Sequence, residues 1–166
     1  VFNLAQTVSI NKIFGDSIKD DDVLKALESF IDVYRQRKQK NLNPSIPLSL
    51  FANRKLGSLE IIVKYMKENL SMDYYQIAEL IKRDQRTIWG THHNAAVKHK
   101  KEFAFKNEEH MIPCSIFSDR SMGPLEALVV YLKDEVGLSF RKISALLNRD
   151  YSTIWTSYKN GKKSSQ

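Results

Sequence analysis

Two groups of side chains recur at the same spacing: Arg83, Gln85, Arg86, Thr87, Gly90, His93 and Asn94, then Arg149, Tyr151, Ser152, Thr153, Thr156, Lys159, Asn160 and Lys163. Both mix cations with hydroxyls and amides, and the serines elsewhere that could tempt a nucleophile reading, Ser49 and Ser115, lack a recognisable His and acid partner pattern. That mixture suits non-covalent recognition. Guanidinium and ammonium groups meet phosphate, short polar side chains reach donors and acceptors in a groove, and a glycine admits close approach. Gln76 and Lys82 before the first group, and Arg141 and Lys142 before the second, are candidates for secondary phosphate contacts. No residue is assigned a catalytic role.

The recurrence is part of a longer repeat. Arg83-Asp84-Gln85-Arg86-Thr87-Ile88-Trp89 returns as Arg149-Asp150-Tyr151-Ser152-Thr153-Ile154-Trp155, and at an offset of 66 the chain aligns ungapped from Ile46–Val97 onto Ile112–Lys163. Nineteen of the 52 aligned positions are identical, which marks a tandem of one small module. Both copies open Ile-Pro-x-Ser with Phe two places on, then carry Arg54/Arg120, Gly57/Gly123, Val63/Val129 and Tyr65/Tyr131.

The elements that position these side chains follow from periodicity and capping. Ser58 as a cap, and Pro124 in the tolerated first turn, open a helix whose stripe is Leu59, Ile62, Val63, Met66 and Leu70, or Leu125, Leu128, Val129, Leu132 and Val136. Asp73 and Ser139 cap a shorter second helix, with Tyr74, Ile77, Leu80 and Ile81, or Phe140, Ile143, Leu146 and Leu147, facing inward. A turn at Lys82-Arg83 or Asn148-Arg149 leads to the caps Asp84 and Asp150, and a third helix runs from Gln85 or Tyr151. With Ile88 inward, His92 and Ala95 fall beside it, while Arg86, Gly90, His93 and Val97 face out; Ser152, Thr156, Lys159 and Lys163 do so in the second copy. The expected fold is all-α: two tandem three-helix helix-turn-helix modules, 46–100 and 112–166, joined by a linker, 101–111, and preceded by an N-terminal helical segment, 1–45.

Leu138-Ser139, Ile143, Arg149-Asp150 and Ser152-Thr153 form a pattern that resembles the DNA-binding domain of the bacterial replication initiator, in the Trp-repressor-like helix-turn-helix group. The last domain of sigma factors is a more distant relative in pattern. The resemblance covers about 30 residues of each repeat and implies that the start of the third helix touches bases or phosphates. It also implies that the Arg before Asp approaches the DNA backbone. Gln85 and Tyr151 stand where the initiator has His, Arg86 replaces the first Thr of its pair, and no ATPase phosphate loop occurs, so origin binding is not implied.

Several residues admit two readings. Trp89 and Trp155 are expected to pack on the first helix of their own module, the alternative being stacking on nucleic acid or wedging into a groove. Arg83 and Arg149 are phosphate contacts or partners of the adjacent Asp. The run Lys98-His99-Lys100-Lys101 is a solvated helix end or a binding patch. His92, His93, His99 and His110 lack metal-ligand spacing, so neither a metal nor a cofactor is expected. The Ile-Pro-x-Ser-x-Phe leaders, Ile46–Phe51 and Ile112–Phe117, are expected to cover one end of each module's core.

Composition bounds the function class. Net charge is +7 with pI about 9.4, and the repeats carry +4 and +3 of it, a distribution expected of folded modules that meet a polyanion. Cys114 is the single cysteine, which excludes a disulfide framework, and no apolar run approaches a membrane span. The expected site is cytoplasmic and nucleoid-associated; Val1 is not a start methionine, so a longer gene product is also expected. In the N-terminal segment, Asp20-Asp21-Asp22 caps a helix with the stripe Val23, Leu24, Leu27, Phe30, Ile31 and Tyr34, suited to the first repeat or to homodimerisation; otherwise the chain is a monomer. Ile13-Phe14-Gly15-Asp16 faintly echoes the second leader, and Phe103 and Phe105 are expected to pack the linker down. The function expected is non-enzymatic double-stranded DNA binding by a regulator or architectural factor. The alternatives are a sigma-like adaptor whose partner is RNA polymerase or another protein, and the targeting part of a recombinase-type enzyme.

Overall fold

A computed structural model of the chain describes residues 20–42, 44–104 and 110–164, and of 20–21 and 34–42 only the backbone. The chain divides into two compact units, Val1–Leu42 and Asn43–Gln166. The expectations for Ile13 to Asp16 and for Phe105 fall outside the described residues. In the first unit, helix α1 spans Asp20–Leu42. Of its expected apolar stripe Leu24, Leu27, Phe30 and Ile31 are exposed and Val23 is half-buried, and the Tyr34 side chain lies outside the described residues. No described helix is long and apolar enough to cross a membrane.

The second unit holds both repeats and is mostly helical. Each repeat runs from a three-residue strand through a short 3-10 segment into three helices. In the first these are β1 (Ser45–Pro47), the 3-10 segment Leu48–Ala52, α2 (Ser58–Lys64), α3 (Tyr74–Leu80) and α4 (Gln85–Lys98). In the second they are β2 (Met111–Pro113), the 3-10 segment Cys114–Phe117, α5 (Pro124–Asp134), α6 (Phe140–Leu147) and α7 (Tyr151–Ser164). The small ladder is an addition to the all-helical expectation. The leaders do more than cover their own modules: they pair with each other.

Local chemistry accounts for the helix ends. Gly57, not Ser58, is the N-cap of α2; the Glu60 carboxylate accepts its N–H at 2.8 Å, as Glu126 accepts the Gly123 N–H at 2.7 Å. α2 ends in a π turn, Tyr65–Asn69, where Leu70 N–H donates to the Tyr65 carbonyl at 3.2 Å and Met72 N–H to that of Met66 at 3.0 Å. The second repeat closes α5 with the equivalent bonds, from Val136 to Tyr131 and from Leu138 to Leu132. The left-handed residue this closure needs is Gly137 (φ 76°) there but Ser71 (φ 54°) in the first repeat. Lys82 and Asn148, at φ 51° and 49°, make the left-handed turns before α4 and α7.

One hydrophobic core runs through both repeats. Ile62, Val63, Met66, Ile77, Ile81 and Ile88 are buried, as are Leu128, Val129, Leu132, Ile143, Leu147 and Ile154. α2 packs on α4, α5 on α7, and α2 also meets α5 across the repeats. A difference between the copies lies at Lys64, which is fully buried where the second repeat has Val130. Its ammonium pairs with Glu68 at 2.6 Å, and the same carboxylate meets His92 Nε2 at 3.0 Å, whose Nδ1 lies 3.0 Å from the Tyr74 hydroxyl. In the second repeat the carboxylate is Asp134, which accepts from Tyr158 Oη at 2.9 Å and from Lys162 Nζ at 3.3 Å.

The ladder, the Phe51–Phe117 contact and the arginine–carbonyl bonds between the repeats obey a two-fold rule. In the antiparallel ladder Ile46 faces Ile112, its own repeat equivalent, while Ser45 faces Pro113 and Pro47 faces Met111. Leu48 N–H donates to the His110 carbonyl at 3.0 Å, and Cys114 N–H to the Pro44 carbonyl at 2.9 Å. Phe51 and Phe117 meet with ring centroids 6.0 Å apart. Arg54 Nη1 donates to the Asn148 carbonyl at 2.9 Å, and Arg120 Nη1 to the Lys82 carbonyl at 3.1 Å. Exchanging each residue for its partner 66 places away turns each of these contacts into itself or into another of them. A simple translation of one repeat onto the next would not be reciprocal, so the copies are related by a pseudo-dyad through the Ile46–Ile112 pair.

Candidate nucleic-acid interface

α4 and α7 begin alike because both follow a left-handed turn and an Asp. Asp84 accepts the N–H groups of Arg86 at 2.9 Å and Thr87 at 3.3 Å, so the cap occupies the open end of α4. At α7 the Asp150 carbonyl accepts the Ile154 N–H at 3.1 Å. With Ile88 and Ile154 fully buried, the helix phase is fixed and the opposite faces turn outward.

Gln85, Arg86, Thr87, His93 and Asn94 are exposed on α4; Tyr151, Ser152, Thr153, Thr156, Lys159, Asn160 and Lys163 are exposed on α7. Gly90 is half-buried, yet a Cβ built on it would meet nothing within 4 Å. Its hydrogen therefore serves no packing need; it leaves a low place between Arg86 and His93. Gly161, by contrast, is buried, and a Cβ there would lie 2.7 Å from Val130 Cγ2. Among the described residues, Arg86, Lys159 and Lys163 enter no ion pair, whereas Lys98 is held by Glu60 at 2.7 Å and Lys162 by Asp134. The Lys98 to Lys101 run is thus partly committed to structure, and His99 stacks on the buried Phe103 with centroids 5.2 Å apart.

The tryptophans depart from expectation. Trp89 is 55 % exposed and Trp155 48 % exposed, so neither is buried against the first helix of its repeat. Trp89 lies parallel to His93 with centroids 5.6 Å apart; Trp155 meets Phe140 edge-on at 5.2 Å. Both rings remain about half exposed on the outer surface beside the polar faces. An open groove at the start of α4 is lined by Tyr74, Asp84, Gln85, Arg86 and Trp89.

The secondary positions behave differently from one another. Lys82, Arg141 and Lys142 are exposed, and so is Gln76, but the Gln76 side-chain oxygen accepts the Asp73 N–H at 2.9 Å and completes the cap of α3. Arg83 and Arg149 are half-buried, and their Nε atoms are sealed from solvent without a hydrogen-bond partner. Burial first, and then the neighbouring guanidinium of Arg120 or Arg54, lowers their pKa from the usual arginine value. Neither forms an ion pair with its adjacent Asp among the described residues. Arg54 and Arg120 recur in the repeat, but only the folded chain brings them beside the turns that lead into α4 and α7.

No protein-family model, curated protein or solved structure matches the chain.

Proposed function

We propose that the chain is a non-enzymatic double-stranded-DNA-binding protein in which the two repeats act as helix-turn-helix modules, with α4 and α7 as the reading helices. One observation carries this reading. Two exposed faces of short polar side chains and of cations that enter no ion pair among the described residues stand on two helices in equivalent places, which one pseudo-dyad relates. A two-fold in the protein can coincide with a local two-fold of B-DNA, so dyad-related reading helices favour inverted half-sites on one duplex. The faces are not equal. Arg86, Gly90 and His93 oppose Ser152, Thr156 and Lys159, so the halves of the site differ in base preference. A role in transcription regulation or DNA architecture fits such a reader, as does the basic surplus on both repeats.

A protein-docking adaptor is the second reading, favoured by the exposed Trp89, Trp155, Tyr75 and Val97. Salt separates the two. If both modules neutralise phosphates, fluorescence anisotropy with a random duplex gives a log-log salt slope of about −4 to −8. A flat slope, or no binding at low salt, would remove the DNA reading and favour the adaptor.

A further inference from the structure

Four arginines at the seam between the repeats form two dyad-related pairs: Arg54 reaches the carbonyl of Asn148, the residue before Arg149, and Arg120 that of Lys82, the residue before Arg83, and each leader guanidinium is felt by its turn arginine as a like charge. Each pair takes one member from each repeat. The member from the leader segment anchors one Nη to a carbonyl of the other repeat's turn, Asn148 for Arg54 and Lys82 for Arg120. The member in the turn, Arg149 or Arg83, has a sealed Nε that finds no acceptor. Among the described residues no carboxylate forms an ion pair with any of the four, because the paired acids are Glu60, Glu68 and Asp134, serving other cations.

Two guanidiniums held close without an anion are unfavourable for folding alone. The arrangement would gain from a ligand with several strongly negative oxygens. The open end of α4 does not provide the alternative: Asp84 already takes two N–H groups of α4. The pairs sit immediately before those helices, where a duplex lying against their outer faces presents its backbone.

We propose that each seam pair, Arg54 with Arg149 and Arg120 with Arg83, is a phosphodiester clamp that exists only when the two repeats are docked. This rests on the DNA reading. The clamps grip backbone without reading sequence, fix the register of the two reading helices on the duplex, and make the repeats interdependent, since neither carries a complete clamp alone. The competing explanation is structural: Arg54 and Arg120 merely neutralise the carbonyl ends of α6 and α3.

The test uses the full chain and a random duplex, with anisotropy titrations across salt and thermal unfolding of every variant. Arg54→Gln/Arg120→Gln keeps a donor for each carbonyl and removes two charges. The salt slope is expected to become shallower by about 0.9 per lost phosphate contact, with affinity falling alike on all sequences. Arg54→Lys/Arg120→Lys keeps charge but loses the planar fork; severalfold weaker binding with little change in slope or midpoint is expected, and this variant serves if the Gln form does not fold. A lower unfolding midpoint with unchanged slope and affinity in both variants would overturn the clamps and leave DNA binding standing. In a second arm, millimolar inorganic phosphate should raise the midpoint of the wild type but not of the Gln variant. No duplex binding by the wild type would overturn the DNA reading and the duplex clamps with it, whether or not phosphate raises the midpoint.

Discussion

Ile46 and Ile112, which hold the same place in the two repeats, face each other as partners in the antiparallel ladder. An antiparallel ladder centred on equivalent residues is self-symmetric. It sets two otherwise similar modules about a pseudo-dyad, and the reciprocal carbonyl contacts of Arg54 and Arg120 carry the same symmetry to the starts of α4 and α7.

The helix phase divides the side chains of α4 and α7 into two kinds. Ile88→Ala and Ile154→Ala empty fully buried sites and should each cost about 2 to 5 kcal/mol in denaturant unfolding. Arg86→Ala and Lys159→Ala, on exposed positions, should weaken duplex binding and leave the unfolding midpoint nearly unchanged. Unfolded surface variants beside fully stable Ile variants would show the phase to be inverted.

Gly161 lies where α7 approaches α5, and its missing Cβ would come within 2.7 Å of Val130 Cγ2. Gly161→Ala is therefore expected to destabilise the chain by about 1 to 3 kcal/mol through overpacking. In a Val130→Ala background the same substitution should cost clearly less. A double-mutant cycle checks this, and additive effects would mean that the two positions do not share the contact.

Much of each repeat was legible in one dimension. Asp73, Ser139 and Asp84 cap where capping chemistry requires, and α4 and α7 begin at Gln85 and Tyr151 because a left-handed turn and an Asp precede them. The cap at Gly57 was not legible, since Glu60 supplies the side-chain bond that Ser58 was expected to make. Nor was the dyad. A three-residue Ile-Pro leader carries no signal that says which strand it pairs with, because pairing is non-local and such short strands are weak alone. For the same reason the seam arginines could be seen to recur but not to meet. The exposure of Trp89 and Trp155 was not legible either, because a large ring at the margin of an apolar stripe is usually covered.

Cys114 is fully buried in the leader of the second repeat, and burial pushes its thiol up from 9.0 to about 12. A folded-state pKa above the unfolded one favours the native state fully below the unfolded value. That contribution is lost as pH rises through the folded value. Cys114 therefore stays a protonated, unreactive thiol near neutrality, and its share of stability should fade between pH 9.0 and about 12. A thiol reagent at neutral pH should label the chain only at the rate of unfolding. Rapid stoichiometric labelling of the native protein would contradict the burial.

Binding-site selection from random duplex DNA, made with the intact chain, tests the central claim most directly. The pseudo-dyad and the unequal outer faces predict a two-part site with half-motifs in inverted orientation and of different sequence. Replacing Ser152, Thr156 and Lys159 together by Ala should then erase one half and spare the other. No enriched motif, a direct repeat, or a single short motif indifferent to those three replacements would contradict a two-fold reader of one duplex.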